Sequence, residues 1–221
     1  MFTDDFIANN ESELVTYVSL GNYCKTSYLL KSNNLKYESY PFDWMITSIE
    51  IINKIISSNF KEFLNKKNYS LIKNKSTKNS IYFDDIKNIF PDAIDNHSHH
   101  NLLDEGHYQY ICRCVDRFNN LGKYETIKFI MIQPLYLNNL KCNYESITNL
   151  YNILIKKFGE EKVKLIIFNI NSKKNSTFKE EKINNNLSIF ELDTNIVKGP
   201  RGMEYFDKKG IKKFIEIITE F

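Results

Sequence analysis

The sequence contains little cysteine, glycine, proline or alanine. It has four cysteines, seven glycines and four prolines in 221 residues, and its only alanines are Ala8 and Ala93. Four cysteines are too few for a disulfide scaffold, and no stretch rich in proline, glycine or serine divides the chain. Hydrophobic residues make up 42% and charged residues 26%, as in globular rather than disordered or fibrous proteins. We therefore predict a single domain over residues 1–221, long enough to bury about 70% of its surface.

The sequence also lacks long apolar runs and a large net charge. No stretch approaches the roughly 18 consecutive apolar residues of a membrane-spanning helix. The first residues, MFTDDFIANNESE, are acidic and polar where a signal peptide is basic and then apolar. We therefore expect no membrane span and a reducing, cytoplasmic location in which the cysteines are thiols. The net charge of +3 is too small to indicate binding to nucleic acid or to a membrane surface.

Apolar runs alternate with amphipathic segments, most regularly in the second half of the chain. Predicted strands are residues 14–21, 127–132, 163–170 and 187–192, and predicted helices start after Asn22, near Thr47, at Tyr108, at Tyr144 and after Asp207. Continuous apolar runs between helices are typical of parallel strands that are covered on both faces. We therefore predict a three-layer α/β fold, with a mostly parallel sheet and helices on both faces in a Rossmann-like arrangement. Residues 65–105 lose this pattern and are predicted to form an irregular insertion.

The first predicted strand ends in a glycine, and a cysteine begins the helix that follows. In SLGNYCKTSYLL, Gly21 closes the strand, Asn22 is the predicted helix cap, and Cys24 lies in the first helical turn. Free backbone N–H groups and the positive end of a helix stabilise an anion, so this position is expected to lower the pKa of the Cys24 thiol. Ligand sites of open α/β sheets lie at this carboxyl edge. One interpretation is a nucleophile beside an oxyanion site, and the other is a small buried side chain.

The segment SLGNYCKTSYLLKSNNLKYESYPFDWM resembles the opening signature of a little-characterised family described as putative papain-like cysteine peptidases. The resemblance rests on Ser19 to Gly21, on Cys24 three residues later, and on the block from Ser39 to Trp44. RCVDRF, Arg113 to Phe118, is similar to an Arg-Arg-x-x-Arg-Phe segment of the family, with Cys114 in place of the second arginine. The resemblance implies a cysteine hydrolase in which Cys24 attacks a carbonyl and a histidine acts as base. It also implies an antiparallel barrel, which disagrees with the parallel sheet that the periodicity predicts.

Four histidines lie close together, and the predicted base is one of them. They are His97, His99, His100 and His107. A general base must come within about 3 Å of the sulfur and is often oriented by a third group. We assign the base to His97 or His100, with Asp43 or Asp104 as the orienting carboxylate. The alternatives are a solvated loop or zinc ligands, but no CxxC or HExxH spacing supports a metal site, and no cofactor is predicted.

The block YPFDW precedes the second predicted helix and contains a polar and an aromatic candidate. Asp43 is predicted to orient a histidine or bind a polar substrate group, with helix capping as the alternative. Trp44 is predicted to form an apolar wall of the substrate site together with Tyr40. Its alternative role is packing in the core.

Arg113 and Arg117 are four residues apart and share one face of the third predicted helix. Their guanidinium groups are suited to hold a carboxylate or phosphate, with surface ion pairs as the alternative. Together with Gly21, Asn22 and Trp44, they are the predicted substrate-binding residues. The sequence favours a cysteine-dependent hydrolase or acyl transferase that acts on a peptide, a glycan or another small molecule. The alternative is a Rossmann-like domain that binds or transfers a glycan or nucleotide sugar without a cysteine nucleophile.

Overall fold

A computed structural model describes residues 14–21, 24–69, 97–98, 100, 102–134, 143–172, 177–194, 196–198 and 204–221. Its helices are α1 (Lys25–Ser32), α2 (Ile49–Ser57), α3 (Glu105–Asn119), α4 (Tyr144–Phe158) and α5 (Lys208–Glu220), with short 3₁₀ helices at Lys66–Asn68 and Leu121–Lys123. Its strands are β1 (Val15–Ser19), β2 (Met45–Ile46), β3 (His97–Ser98), β4 (Thr126–Pro134), β5 (Val163–Ser172), β6 (Phe178–Asn184), β7 (Leu187–Thr194), β8 (Ile196–Lys198) and β9 (Glu204–Phe206). None of the helices in these ranges is both long and apolar enough to cross a membrane.

A five-stranded sheet in the order β1-β4-β5-β7-β6 organises the described part of the chain. β1, β4, β5 and β7 run parallel, whereas β6 pairs antiparallel with β7. Residues 165–170 of β5 are all buried, which explains why this strand is a continuous apolar run with little alternation. The prediction of an α/β fold with a mostly parallel sheet is confirmed. This sheet stands in place of the antiparallel barrel that the family resemblance implies.

Side chains of the central strands divide between two buried clusters on alternate residues. One cluster contains Phe129 of β4 and Leu165 of β5, together with residues of α2, α3 and α4. The other contains Ile130 of β4 and Ile166 of β5, together with residues of α1 and α5. α1 and α5 therefore share one cluster of buried side chains, and α2, α3 and α4 share the other.

The starts of two helices differ from those that the sequence predicts. Cys24 is the N-cap residue of α1, a role predicted for Asn22, which lies outside the described residues. α3 begins at Glu105, three residues earlier than predicted, because the Asp104 side chain accepts a hydrogen bond from the backbone N–H of His107 at 2.9 Å. Asp104 therefore caps a helix, a role that the sequence does not indicate for it.

The irregular insertion predicted at residues 65–105 is described only in part. It contains the 3₁₀ helix at Lys66–Asn68 and the strand β3, which pairs antiparallel with β2. Residues 70–96 lie outside the described part of the chain. The described ends of the insertion are therefore connected to the rest of the domain through short regular elements.

The sequence does not predict the edge strand β6. All seven of its residues, FKEEKIN, are exposed, so the strand has no buried face to produce an apolar alternation. It is held by its pairing with β7 and by Phe178, whose ring stacks on that of Phe190 with centroids 5.3 Å apart. β6 gives one edge of the sheet a charged, solvated border.

Candidate active site

Cys24 lies where the chain leaves the carboxyl end of β1 and enters α1. It is the N-cap residue, with φ −57° and ψ −20°, and its carbonyl oxygen accepts a hydrogen bond from Tyr28 N at 3.2 Å. Its side chain makes no capping hydrogen bond, unlike the serine or aspartate that commonly begins a helix. Cys24 is half-buried and stands at the edge of the sheet where open α/β folds bind ligands.

Burial, rather than the helix start, decides the direction in which the pKa of Cys24 moves. Loss of solvation raises the pKa of the thiol and outweighs the backbone N–H groups of Cys24 and Lys25 and the Lys25 charge, which lower it. The lowered pKa expected from helix position alone is therefore wrong in its net direction. At neutral pH the side chain is a thiol, so a nucleophilic role requires a base that removes its proton.

Gly21 packs the turn after β1 against residues 42–47. Its φ of +76° lies in the left-handed region, and a Cβ atom at this position would lie 3.1 Å from the Phe42 carbonyl oxygen and 3.4 Å from Thr47 Cγ2. Both the backbone conformation and the close approach require glycine. Gly21, a predicted substrate-binding residue, is itself buried and joins the cysteine turn to the block that follows α1. Asn22 lies outside the described residues.

Asp43 is fully buried, and its charge is compensated by a lysine. Its Oδ2 accepts hydrogen bonds from Lys36 Nζ, with which it forms an ion pair, and from the backbone N–H of Tyr40 at 2.8 Å. The Lys36 side chain is only 4% exposed. Burial raises the pKa of Asp43 to about 6, against the lowering effect of Lys36 and of the Tyr40 N–H. Sequence reasoning misses Lys36, because no pattern indicates that this lysine is turned inward.

Ser27 connects Asp43 to the first turn of α1. The Ser27 hydroxyl lies close enough to the carboxylate to lower the pKa of Asp43. Within the described residues, however, neither Ser27 Oγ nor Asp43 Oδ1 makes a hydrogen bond of normal geometry. Ser27 follows Cys24 by three residues, so the two side chains share a face of the helix. Asp43 therefore lies beside the face of α1 that carries Cys24.

A two-stranded ladder brings the histidine segment to the same block. β2 begins two residues after Asp43 and pairs antiparallel with β3, with Ile46 opposite His97. The backbone of His97 is therefore adjacent to the block that contacts the cysteine turn. The side chain of His97 and the whole of His99 lie outside the described residues.

His100 lies against α3. Its ring centroid is 4.5 Å from that of Tyr110 and 5.3 Å from that of His107. Burial raises the pKa of Tyr110, whose hydroxyl also interacts with the side chains of Ser39 and Cys114. Tyr110 thus links the His100 ring to the polar groups buried around the SYPFDW block, a role for which the sequence gives no signal.

Arg117 is half-buried and donates hydrogen bonds to other groups of the protein, whereas Arg113 is exposed. Arg117 Nε donates a hydrogen bond to the Ser39 carbonyl oxygen at 2.9 Å, and its Nη2 donates to Cys114 Sγ at 3.2 Å. These contacts connect α3 to the start of the block at residues 39–44. The predicted anion-binding pair therefore consists of one exposed guanidinium group and one that holds the protein's own atoms in position.

Trp44 and the remaining cysteines complete the set of candidates. Trp44 is half-buried in the turn before β2. Cys112 is half-buried and Cys114 is buried, and both are free thiols, as is Cys24. Cys142 lies outside the described residues. Trp44 is next to Asp43 in the block that contacts the cysteine turn through Gly21 and pairs with the histidine segment through β2.

A model of the family described as "Putative papain-like cysteine peptidase (DUF1796)" matches residues 15–160. The matched region is more than half of the chain and runs from the first residue of β1 past the end of α4. It includes Cys24, Asp43, the histidine segment and α3. No curated protein and no solved structure matches the chain.

Proposed function

The chain belongs to the family of putative papain-like cysteine peptidases, and on that premise we propose that it is a cysteine-dependent hydrolase with Cys24 as its nucleophile. The proposal rests mainly on one observation, the position of residues 39–47. This block contacts the cysteine turn through Gly21 and pairs with the histidine segment through β2. One block thus contains a buried carboxylate, contacts the turn that precedes the thiol and pairs with a histidine-bearing strand, which supports a set of nucleophile, base and orienting group.

The proposed reaction is acyl transfer through a thioester. A histidine takes the proton from Cys24 Sγ, the sulfur attacks the substrate carbonyl carbon, and the histidine returns the proton to the leaving group as its bond breaks. Water then attacks the thioester, releases a carboxylic acid and regenerates the thiol. Backbone N–H groups at the start of α1 stabilise the oxyanion of each intermediate. The raised pKa of Cys24 fits a thiol that is deprotonated only during the reaction.

We assign the base to His97 or His100 and the orienting role to Asp43. His97 is supported by the pairing of its backbone with Ile46, and His100 by the contact of its ring with Tyr110. Asp43 Oδ2 is bonded to Lys36, but its Oδ1 accepts no hydrogen bond from the described residues. Oδ1 can therefore accept a hydrogen bond from an imidazole N–H, in competition with the nearby Ser27 hydroxyl.

The substrate surface in this proposal includes Trp44 and Arg113. Trp44 is half-buried beside Asp43 and offers an apolar wall, while the exposed guanidinium of Arg113 is suited to a carboxylate or phosphate on the substrate. Arg117 supports the site indirectly, because it holds the Ser39 carbonyl at the start of the block. The substrate class that fits these groups is a peptide or a small acylated molecule.

We also propose that the domain is a three-layer, Rossmann-like arrangement in a cytoplasmic protein. Alternate residues of the same strands contribute to two clusters, one with α1 and α5 and the other with α2, α3 and α4, which supports helices on both faces. The free thiols of Cys24, Cys112 and Cys114 support a reducing location.

Turnover by matched cysteine variants tests the proposed function. The wild-type protein, Cys24→Ala and Cys112→Ala are compared for hydrolysis of a library of peptides and aryl esters, with products measured by mass spectrometry. Cys112 is the control because it is also half-buried but lies in the middle of α3. We expect Cys24→Ala to lose turnover by about 10³-fold or more and Cys112→Ala to stay within about twofold. Unchanged turnover in Cys24→Ala, or no hydrolysis by the wild-type protein, contradicts the proposal.

A further inference from the structure

A groove lies between the first turns of α5 and the outermost pair of strands in the sheet, β6 and β7. It has a volume of about 350 Å³, and its walls include Phe178, Leu192, Lys209, Lys212, Lys213 and Glu216. Phe178 and Leu192 are opposite each other in the β6–β7 pair, near the carboxyl end of β7. Because β1 and β7 point in the same direction within the sheet, this α5 groove lies at the same edge as Cys24.

One wall of the α5 groove is positively charged. The sequence KKGIKKF places four lysines in the first six residues of α5, and its first turn contains no acidic residue. Lys213 pairs with Glu216 at 3.2 Å, whereas Lys209 and Lys212 form no ion pair within the described part of the chain. The dipole of a helix repels cations at its N-terminus. The charge of this wall is therefore unfavourable for the isolated helix and complementary to an anionic partner.

The facing wall is apolar and partly open to solvent. Phe178 is 39% exposed, and its ring is supported from behind by Phe190, on which it stacks. Leu192 is buried beside it, and Lys213 Nζ lies 5.2 Å from the centroid of the Phe178 ring. A ring that is stacked on Phe190 and still 39% exposed beside the Lys213 ammonium presents a rigid contact surface for an apolar side chain.

We propose that the α5 groove is a docking site for an acidic polypeptide segment that carries one large apolar side chain. Carboxylates of the segment pair with Lys209 and Lys212, and its apolar side chain packs on Phe178. The lysine side chains rather than the helix amides provide the attraction, because the Asp207 side chain already accepts from Gly210 N at 2.8 Å. This docking is separate from the proposed hydrolysis, since it does not require Cys24.

The α5 groove lies a short distance from the proposed active site at Cys24. Strands β1 and β7 are three strand spacings apart in the sheet order, which corresponds to about 14 Å. α1 and α5 also share one cluster of buried side chains. About four residues of extended chain span this distance, so a docked acidic segment holds the residues next to it within reach of the edge at Cys24.

Fluorescence anisotropy with a fluorescein-labelled peptide of sequence EEDFEDE tests the docking site. Binding is compared among the wild-type protein, the double variant Lys209→Glu/Lys212→Glu, and the control double variant Lys61→Glu/Lys67→Glu. All four lysines are exposed, and the control pair lies on the connection after α2. We expect the groove variant to weaken binding by about tenfold and the control by less than about twofold. Replacing the peptide's phenylalanine with serine is expected to weaken binding by about fivefold.

Near-UV circular dichroism of both double variants checks that each keeps the native fold, and we expect both spectra to match that of the wild-type protein. Equal weakening by the groove and control variants would mean that net charge alone attracts the peptide, and it would overturn the proposal. Absence of peptide binding by the wild-type protein would do the same. Displacement of the peptide by single-stranded nucleic acid at an equal concentration of charge would assign the groove to a polyanion in place of an acidic polypeptide, which also overturns it.

Discussion

α1 and α5 share one cluster of buried side chains and begin at the same edge of the sheet, yet their first turns differ in chemistry. α5 begins at Asp207, whose carboxylate accepts a hydrogen bond from Gly210 N at 2.8 Å. α1 begins at Cys24, whose side chain makes no capping bond. Beside α1 lies the buried Lys36–Asp43 pair, whereas the Lys213–Glu216 pair of α5 is in solvent.

This difference shows two ways of using one structural position. The α5 start gains a cap, worth about 1 kcal/mol, and keeps its charges solvated, where they are suited to binding. The α1 start forgoes the cap and buries its ionisable groups, so that burial raises the pKa of both Cys24 and Asp43. The pKa of Asp43 is thereby brought close to neutral pH, whereas that of Cys24 moves further above it.

Ion pairs are expected to give the largest difference between the two regions. Lys36→Met leaves the buried Asp43 carboxylate without a partner, and we expect it to lower the free energy of unfolding by about 3–5 kcal/mol. Lys213→Met removes the exposed pair with Glu216 and is expected to cost less than about 1 kcal/mol. Urea unfolding followed by circular dichroism measures both values. Equal losses would remove the distinction between a buried and a solvated helix start.

Asp43 is expected to make the free energy of unfolding depend on pH. The pKa of Asp43 is raised from 3.8 to about 6, so the folded protein binds this proton more tightly than the unfolded chain does. The contribution of Asp43 to the free energy of unfolding is complete below its ordinary pKa of 3.8, and it is lost as the pH rises through the folded-state pKa of about 6. This change amounts to about 3 kcal/mol.

Two asparagine variants isolate this contribution. Asp43→Asn is expected to lose it, and Asp207→Asn, which keeps a capping side chain at the start of α5, is the comparison. Urea unfolding between about pH 4 and about pH 7 measures the difference. If the wild-type protein and Asp43→Asn show the same slope of unfolding free energy against pH, Asp43 does not titrate as described.

Alanine at the two N-cap positions is expected to have the smallest effect. Asp207→Ala removes the hydrogen bond to Gly210 N and is expected to cost about 1 kcal/mol. Cys24→Ala removes no capping bond, so it is expected to cost less than Asp207→Ala. Thermal unfolding by calorimetry distinguishes the two variants. A larger loss at Cys24 than at Asp207 would mean that the thiol supports the fold, which runs against its assignment to chemistry.

The parallel sheet and the position of Cys24 can be predicted from sequence because both leave local patterns. The buried faces of β5 make it a continuous apolar run, and the order of strand, glycine, cysteine and helix positions Cys24 at the sheet edge. β6 leaves no such pattern because every residue in it is exposed. β2 and β3 have two residues each, too few for any periodicity.

The electrostatics of the site depend on tertiary contacts that sequence patterns do not record. Lys36 and Asp43 meet because the chain turns back between them, and no spacing rule for helices or strands applies to that turn. The role of Ser27 as a neighbour of the Asp43 carboxylate is visible only in the folded structure, where its hydroxyl lowers the pKa of Asp43. For Cys24, the helix start predicts the lowering effect of the backbone correctly, but the larger effect of burial comes from packing and reverses the direction.

The most direct test of Cys24 as the nucleophile is the site of acylation. The protein is mixed with an activated aryl ester, quenched in acid at short times and digested, and the peptides are identified by mass spectrometry. We predict an acyl group on the peptide that contains Cys24, no such adduct in Cys24→Ala, and unmodified Cys112 and Cys114. Acylation of another cysteine while Cys24 stays unmodified would contradict the assignment of Cys24 as the nucleophile.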